Sequence, residues 1–421
     1  MGKKILYAAS TFGHLTTFHI PYLEALMEQG YEVHAMGAGS ADGLPKGVIP
    51  VEMPFEKKMG SVRNFVCACK TALRIRREDY DVISVHTSLA AFFVRLGVML
   101  SGKKPWVINT VHGYLFDEKT SWKKRIPLLL AEKLTRSVTN VVAVMNKQDK
   151  KIAEDHKLYK DELVVINGMG IDVKRFERTP EVEKRMEQLR RQYFIGPKDF
   201  VMICVAEFSQ RKNQEFLLKA MQQLKKEGVS CRLILVGTGE KFERIKSLAV
   251  RYSVRQETRF PGYTRDLAPL YYLADASVSA SRIEGLPFQI MEAMSCGLPV
   301  IASGVKGHID LVNSSTNGIL YEYNDLEGFC EAVRKLSADK QMQERMGQAG
   351  QVKVQKYRLE KVLPENMKKL YGLEDDSFKE RVREAFLSLA EREPDRVKKI
   401  DASGTPDQTF YQILDYIIPL L

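Results

Sequence analysis

The sequence predicts an α/β protein: two Rossmann-like domains of parallel strands facing each other across a cleft, followed by a short C-terminal helical appendage. Three observations point there. Apolar runs of strand length alternate with amphipathic helical stretches from the first residues onward. A break near residues 167–197 is followed by a second series of the same kind. The intervening stretches are long enough for right-handed crossovers between parallel strands.

The first series opens with a strand at Lys4–Ala9, a small-residue turn at Ser10–His14 and a helix from Phe18 to Gln29, closed by Gly30. A strand at Tyr31–Met36, a helix at Val62–Arg76 and a strand at Val82–Val85 follow. Then come a helix at Leu89–Leu100, a strand at Trp106–Val111, a helix at Trp122–Arg136 and a strand at Val138–Val144. The pattern stops at Asn167–Asp172, and a charged helix (Val182–Tyr193) leads to Gly196-Pro197. The second series has strands at Phe200–Val205, Arg232–Val236, Thr258–Phe260, Ala276–Ala280 and Pro299–Ser303. Its helices fall at Gln214–Glu227, Glu240–Tyr252, Leu267–Leu273 and Pro287–Ser295, with further helix over Leu326–Leu370. The division is 1–178, 179–372 and 373–421, the last reading as helix, short strand, helix and too small to hold a core alone.

Net charge is +11, and residues 1–178 carry 27 Lys and Arg against 19 Asp and Glu, so most of the excess lies in the first domain. Lys57–Arg77 contains no acid, and Lys119–Arg136 contains only Glu132. No recognition motif or aromatic platform accompanies these basic residues, which argues against a nucleic-acid partner. No uncharged apolar run reaches the ~18–20 residues of a membrane span, and the N-terminal apolar stretch is too short for a signal peptide. The six cysteines sit in apolar settings without metal-ligand spacing and read as reduced packing residues of a cytoplasmic protein.

The chemistry concentrates between Ser279 and Ser303. Glu284-Gly285-Leu286-Pro287 follows a strand and opens a helix; Pro287 suits its first position, and the free amides there favour an anion. Glu292 lies within an apolar helix, where a carboxylate needs partners. Were both glutamates helical, their spacing would give about 12 Å of rise. That separation fits distinct contact roles better than the ~5–5.5 Å pair of a retaining glycosidase.

These residues, with Gly297–Ala302 after them, resemble the signature of glycosyltransferase family 4. Further stretches fall in register with it: Ala206–Asn213, Leu235–Glu240, Pro261–Tyr263 and Asn167–Asp172. In the N-terminal half Gly13-His14 through His34 and Thr110–Tyr114 are similar to bacterial members that build cell-surface polysaccharides. The resemblance spans residues 3–372. It implies the GT-B fold and transfer of a sugar from a nucleotide donor with retention of anomeric configuration, without a metal or other cofactor. Arg211 and Lys212 would stabilise the departing diphosphate, with Asn213 capping the helix after them. Glu292 would accept the two ribose hydroxyls, and Glu284 with the amides after Gly285 and Leu286 would contact the donor sugar. Gly13 would let the first loop approach the donor phosphates.

His112 ends a strand at a glycine turn, where an open α/β sheet exposes side chains to its cleft; its family counterpart lies near the anomeric centre. His86 ends the preceding strand and is expected to line the acceptor side. His14 and His19 carry weaker signals, His19 as packing under the loop. Asp79-Tyr80-Asp81 has the form of a metal-binding pair but precedes a strand instead of ending one.

The partners expected are a nucleotide-sugar donor, probed first as a UDP-sugar, and a polyprenyl-diphosphate-linked oligosaccharide acceptor. The product belongs to capsule, exopolysaccharide or lipopolysaccharide biosynthesis. The basic-apolar segment Lys119–Arg136 suits an anionic membrane surface, which places the protein on the inner face of the cell membrane. The rival readings are a nucleotide-sugar epimerase or hydrolase of the same architecture, and a non-catalytic nucleotide-sugar-binding subunit. Phe378–Phe386 and Ile400–Gly404 resemble the end of bacterial thymidylate kinase, but no P-loop is present and no kinase role follows.

Overall fold

The computed structural model describes residues 3–118, 120–373, 387–394 and 396–400, with Phe410 and Gln412. The first sheet comprises β1 (Lys4–Thr11), β2 (Glu32–Ala38), β3 (Ile49–Glu52), β4 (Val82–His86), β5 (Trp106–Val111), β6 (Val141–Val144) and β7 (Glu162–Val165). Its order is β3-β2-β1-β4-β5-β6-β7. The second comprises β8 (Phe200–Val205), β9 (Cys231–Val236), β10 (Thr258–Gly262), β11 (Ala276–Ser279), β12 (Val300–Ser303) and β13 (Gly318–Tyr321), ordered β10-β9-β8-β11-β12-β13. The pairings in both sheets are parallel. These are the two Rossmann-like domains the alternation predicts.

Helices cover both faces, so the central strands are apolar along their whole length: Ile5 to Ala9 in β1 are fully buried. Three strands escape the sequence reading, β3, β7 and β13, and each is a four-residue strand on a sheet edge. Pro50 inside β3 is tolerated there because an edge strand leaves one side unpaired. The six cysteines are free thiols, five of them buried and Cys69 exposed.

Around Gly13 the expectation fails. The turn predicted at Ser10–His14 is the end of β1 and the first turn of a helix, Phe12–Phe18, which breaks at His19 before a second helix, Ile20–Glu28. Gly13 therefore occupies a helical turn, where Thr11 Oγ1 accepts from the His14 amide. Asp79 and Asp81 lie before β4, the first paired with Lys103 at 2.7 Å and the second accepting from the Lys4 amide at 2.7 Å.

The helix Leu359–Tyr371 follows the second sheet in sequence but packs against the first domain. Asn366 Nδ2 donates to Tyr22 Oη (2.7 Å) and to the Gly168 carbonyl (2.8 Å). Where this helix begins, the Leu359 amide donates to the Ile171 carbonyl and the Ile171 amide donates to the Tyr357 carbonyl. Residues 371–421 form a separate compact unit, helical at 387–392. The helix–strand–helix expected for 374–421 and the kinase-like segments fall largely outside the described residues.

A buried ammonium spans the two domains. Lys306, in the loop after β12, has all three protons satisfied: by the carbonyls of Tyr114 (2.6 Å) and Phe116 (3.2 Å) and by Asp149 Oδ1 (2.6 Å). Asp149 and Lys306 are both without exposed side-chain surface. Burial pushes the Asp149 carboxyl up, and the Lys306 charge pulls it back. Its other oxygen accepts from Asn146 Nδ2 (2.6 Å), which also donates to the Gly285 carbonyl (3.0 Å). Removing one member of such a pair strands the other charge. Lys306→Met is expected to lower the unfolding free energy by ~3–5 kcal/mol, measured by urea denaturation, and Lys306→Met with Asp149→Leu to recover part of that loss. A loss below ~1 kcal/mol would reduce the pair to a surface-type contact.

Candidate active site

Both sheets reverse strand order at a switch point, β1/β4 in the first and β8/β11 in the second. Ligands of open α/β sheets bind beyond the strand C-termini at such points. Here the two points share one cleft of about 520 Å³, lined from the first domain by Ser10, Thr87 and His112 and from the second by Arg211, Glu284 and Gly285.

The loop after β8 carries the basic pair. Gly237 and Gly239, after β9, pack beneath it: a Cβ on Gly237 would lie 2.2 Å from the Ala206 carbonyl oxygen. These glycines thus support the Arg211 turn through close main-chain approach. Asn213 stands at the start of the helix Gln214–Lys226 in a left-handed conformation (φ 57°), where its side chain makes no cap; its Nδ2 donates to Asn324 Oδ1 (3.1 Å). The capping expected of it is absent.

Arg211 Nη1 donates to Glu284 Oε2 at 2.7 Å and to the Ile283 carbonyl at 3.1 Å, and Lys212 Nζ donates to Glu284 Oε1 at 2.7 Å. Burial alone would raise the Glu284 carboxyl, but Lys212 and then Arg211 outweigh it and hold the group well below the usual carboxylate range. One carboxylate thus holds two cations at the cleft wall, with net positive charge left over. Glu284 is 7 % exposed, and its oxygens keep further acceptor capacity.

Pro287 occupies the cap position of the helix Phe288–Ser295 (φ −72°, ψ 120°), one residue earlier than the sequence reading has it. Glu292 Oε2 accepts from Tyr271 Oη at 2.7 Å, and its second oxygen has no partner among the described residues. Burial pushes its pKa up, with Tyr271 opposing. Gly13, Leu286, Lys212 and Glu292 are not among the residues lining the 520 Å³ cleft; Lys212 reaches it only through Glu284.

His112 lines the other wall, with the rings of His14, His19 and His86 packed against it. His112 follows β5, and Gly113 takes φ 110°. His86 is not on the acceptor wall: it is fully buried, with Nδ1 3.2 Å from His112 Nε2 and Nε2 3.2 Å from Ser84 Oγ. It lies behind His112 and orients it. His19, at the helix break, has Nδ1 2.9 Å from Tyr7 Oη and Nε2 3.2 Å from His14 Nε2. Burial depresses all four imidazoles, His112 to about 3, His14 to about 4, and His19 and His86 well below 6.5. They are neutral at pH 7.

Main chain meets main chain between the walls. A Cβ on Gly285 would fall 2.1 Å from the His112 carbonyl oxygen, and one on Gly307 would fall 2.6 Å from the Gly285 carbonyl oxygen. Lys306, Asp149, Asn146, Tyr271 and His308 all escape the sequence reading. For Lys306 a signal was present, a lysine between glycines (Gly304-Val-Lys-Gly307) just past a strand's C-terminal end.

Two family models match this chain: Glycosyltransferase Family 4 over residues 22–175 and Glycosyl transferases group 1 over residues 185–353. The chain is a GT-B glycosyltransferase. Among relatives, EpsD of Bacillus subtilis (strain 168), which bears a glycosyltransferase name, is 27% identical over 83% of this chain and 91% of its own length. The UDP-Gal:alpha-D-GlcNAc-diphosphoundecaprenol alpha-1,3-galactosyltransferase of Escherichia coli is 26% identical over 63% of this chain and 68% of its own. Anabaena HepE, solved in complex with UDP-glucose, shares the fold at TM-score 0.71 and 20% identity, covering 88% of this chain and 100% of that one.

The buried imidazoles of this glycosyltransferase tie its stability to pH. His19, His86 and His308 have no exposed surface, and burial lowers each; His308, near Glu284, sits at about 4. The unfolded chain takes up protons near pH 6.5, whereas the folded one stays neutral. Stability is therefore full above that pH and falls below it, by about 1.4 kcal/mol per pH unit for each histidine. Urea midpoints at pH 7.5 and 5.5 measure the slope, which His86→Gln is expected to flatten by one histidine's share.

Proposed function

We propose that this glycosyltransferase is a retaining enzyme of family 4. It moves a sugar from a nucleotide-diphosphate donor, a UDP-sugar, to a polyprenyl-diphosphate-linked oligosaccharide in capsule, exopolysaccharide or lipopolysaccharide assembly. The observation that carries the reading is the pair Arg211 and Lys212 held by Glu284 at the second switch point. Charge develops on the leaving diphosphate during transfer, and cations already fixed in a partly desolvated wall stabilise it without reorganisation. Because these two supply the charge, the reaction runs without a divalent ion. The free oxygen of Glu292 suits ribose hydroxyls, and the amides from Gly285 onward suit the donor's anionic side. Gly13, at the first helical turn, leaves room beside the phosphates. His112 stands opposite, at the sugar. The E. coli relative named for UDP-Gal and a diphosphoundecaprenol acceptor, and the UDP-glucose bound to HepE, support this choice of donor and acceptor.

The test is incubation with a panel of UDP- and GDP-sugars and membrane lipid extract, with the glycolipid identified by mass. Lys212→Ala is expected to lower kcat by ~10²–10³, and chelation with EDTA to cause no loss of rate. A free epimer or free sugar formed without acceptor would overturn transfer in favour of the epimerase or hydrolase. Donor binding without turnover would favour a binding subunit.

The same proposal puts the enzyme on the inner face of the cell membrane. No helix among the described residues is long and apolar enough to cross a membrane. The helix Trp122–Thr135 instead exposes Trp122, Ile126, Leu130 and Leu134, four residues apart along one stripe. Lys123, Lys124 and Lys133 flank it. Its one acid, Glu132, is turned inward to the buried Arg95 at 2.8 Å, so the outer face is wholly basic and apolar. The helix Val62–Glu78, exposing Val62, Phe65 and Leu73, packs with it on the helix Ser88–Ser101. Such a surface binds anionic bilayers. Flotation with vesicles containing anionic lipid is expected, and Trp122→Ser with Leu130→Ser is expected to abolish it. Equal flotation with neutral vesicles would remove the electrostatic part of the assignment.

A further inference from the structure

Four of the chain's seven histidines meet at the first switch point, more than transfer chemistry at one anomeric carbon requires. Three of them, His14, His19 and His112, offer ring nitrogens that all lie within 4.8 Å of one another. His14 Nε2 and His19 Nε2 face each other at 3.2 Å. Two imidazole nitrogens bound at ~2.0–2.1 Å in a tetrahedral zinc site stand about that far apart.

We propose that His14, His19 and His112 form a binding site for a divalent transition cation, Zn²⁺ foremost, and that its occupancy shuts off transfer. The inference rests on the reading of His112 as a residue of the transfer site, because the cation would hold that imidazole away from the donor sugar.

Ligand type, second shell and access all agree. Three neutral nitrogen donors with a fourth position open suit zinc or cobalt and exclude the oxygen-seeking Mg²⁺ and Ca²⁺. Burial keeps these imidazoles unprotonated, so the cation need not displace protons from charged rings. Binding through His19 Nε2 requires its proton on Nδ1, and Tyr7 Oη, 2.9 Å away, accepts it there. That is the outer bond that metal-bound histidines usually make. His19 is fully buried, while His14 and His112 are partly exposed, so a cation enters from the cleft side.

The test uses the full chain, stripped of metal by dialysis against a chelator. Co²⁺ is added while visible absorption is followed, and Zn²⁺ is then used to displace it. One equivalent of Co²⁺ is expected to give the intense absorption of a tetrahedral site, with none in His14→Gln. Zn²⁺ affinity is expected to drop at least ~10-fold in His14→Gln and by about as much in Tyr7→Phe, which removes only the outer bond. Zinc inhibition of transfer, read against each variant's own metal-free rate, is expected to weaken in step. Absence of the cobalt band, or Zn²⁺ affinity indifferent to both substitutions, would overturn the site and leave a hydrogen-bonded imidazole chain. Inhibition that persists unchanged in His14→Gln would overturn the regulatory half. Metal binding needs neither donor nor acceptor, so its outcome is separable from that of the transfer assignment.

Discussion

Where the loop after β5 meets the loop after β11, main chain lies against main chain with no side chain between. Gly113, Gly285 and Gly307 make that approach possible, since a single methyl group on any of them would overlap a neighbouring backbone. The contact brings the His112 wall and the Glu284 wall to opposite sides of one cleft. Every proposed role depends on it, because no reacting group from one domain reaches the other domain's groups unless the two strand ends touch. The Asn146 side chain, bonded to the Gly285 carbonyl, fixes the contact from one side, and Lys306 fixes it from the other.

The electrostatics of the two walls differ in kind. On the second domain, a buried carboxylate keeps Arg211 and Lys212 ordered and close together before any anion arrives. Two cations without such a partner would repel each other and sample many rotamers, and that disorder would have to be removed at each binding event. On the first domain, Glu56 and Lys57 line the rim of the cleft, but beside them burial keeps the imidazoles neutral, so these act through hydrogen bonds and lone pairs. The ordered Arg211–Lys212 pair thus faces the neutral imidazole of His112 across the cleft. That difference suits a ligand with one anionic and one neutral end, as the proposed donor has.

The parts legible from sequence share a physical property: their signal is local. Central strands such as β1 and β8 are continuous apolar runs, and the Glu284 motif joins a strand end, a glycine and a helix start within a few residues. The edge strands β3, β7 and β13 were missed because four residues with one open side need no such run. Gly13 was read as part of a loop because a helix that starts directly on a strand, capped by Thr11, leaves no turn residues to announce it. His86 reads as a cleft residue because its position at a strand end says nothing of the His112 ring packed in front of it. The motif assigns Glu284 to the donor sugar; that its two oxygens also hold Arg211 and Lys212 is revealed only by the spatial meeting of residues 211, 212 and 284. Lys306 and Asp149 are 157 residues apart, and their pairing leaves no local trace.

The ammonium of Lys306 grips Tyr114 and Phe116 by their carbonyl oxygens, not by their rings. Carbonyls are common to every amino acid. The clasp between the halves therefore does not depend on which rings stand at those two positions; it is their burial in the first domain's core that fixes the side chains. Leu115 between them is exposed and lines the cleft, so this stretch can vary the side chain that meets an incoming molecule without disturbing either the clasp or the core.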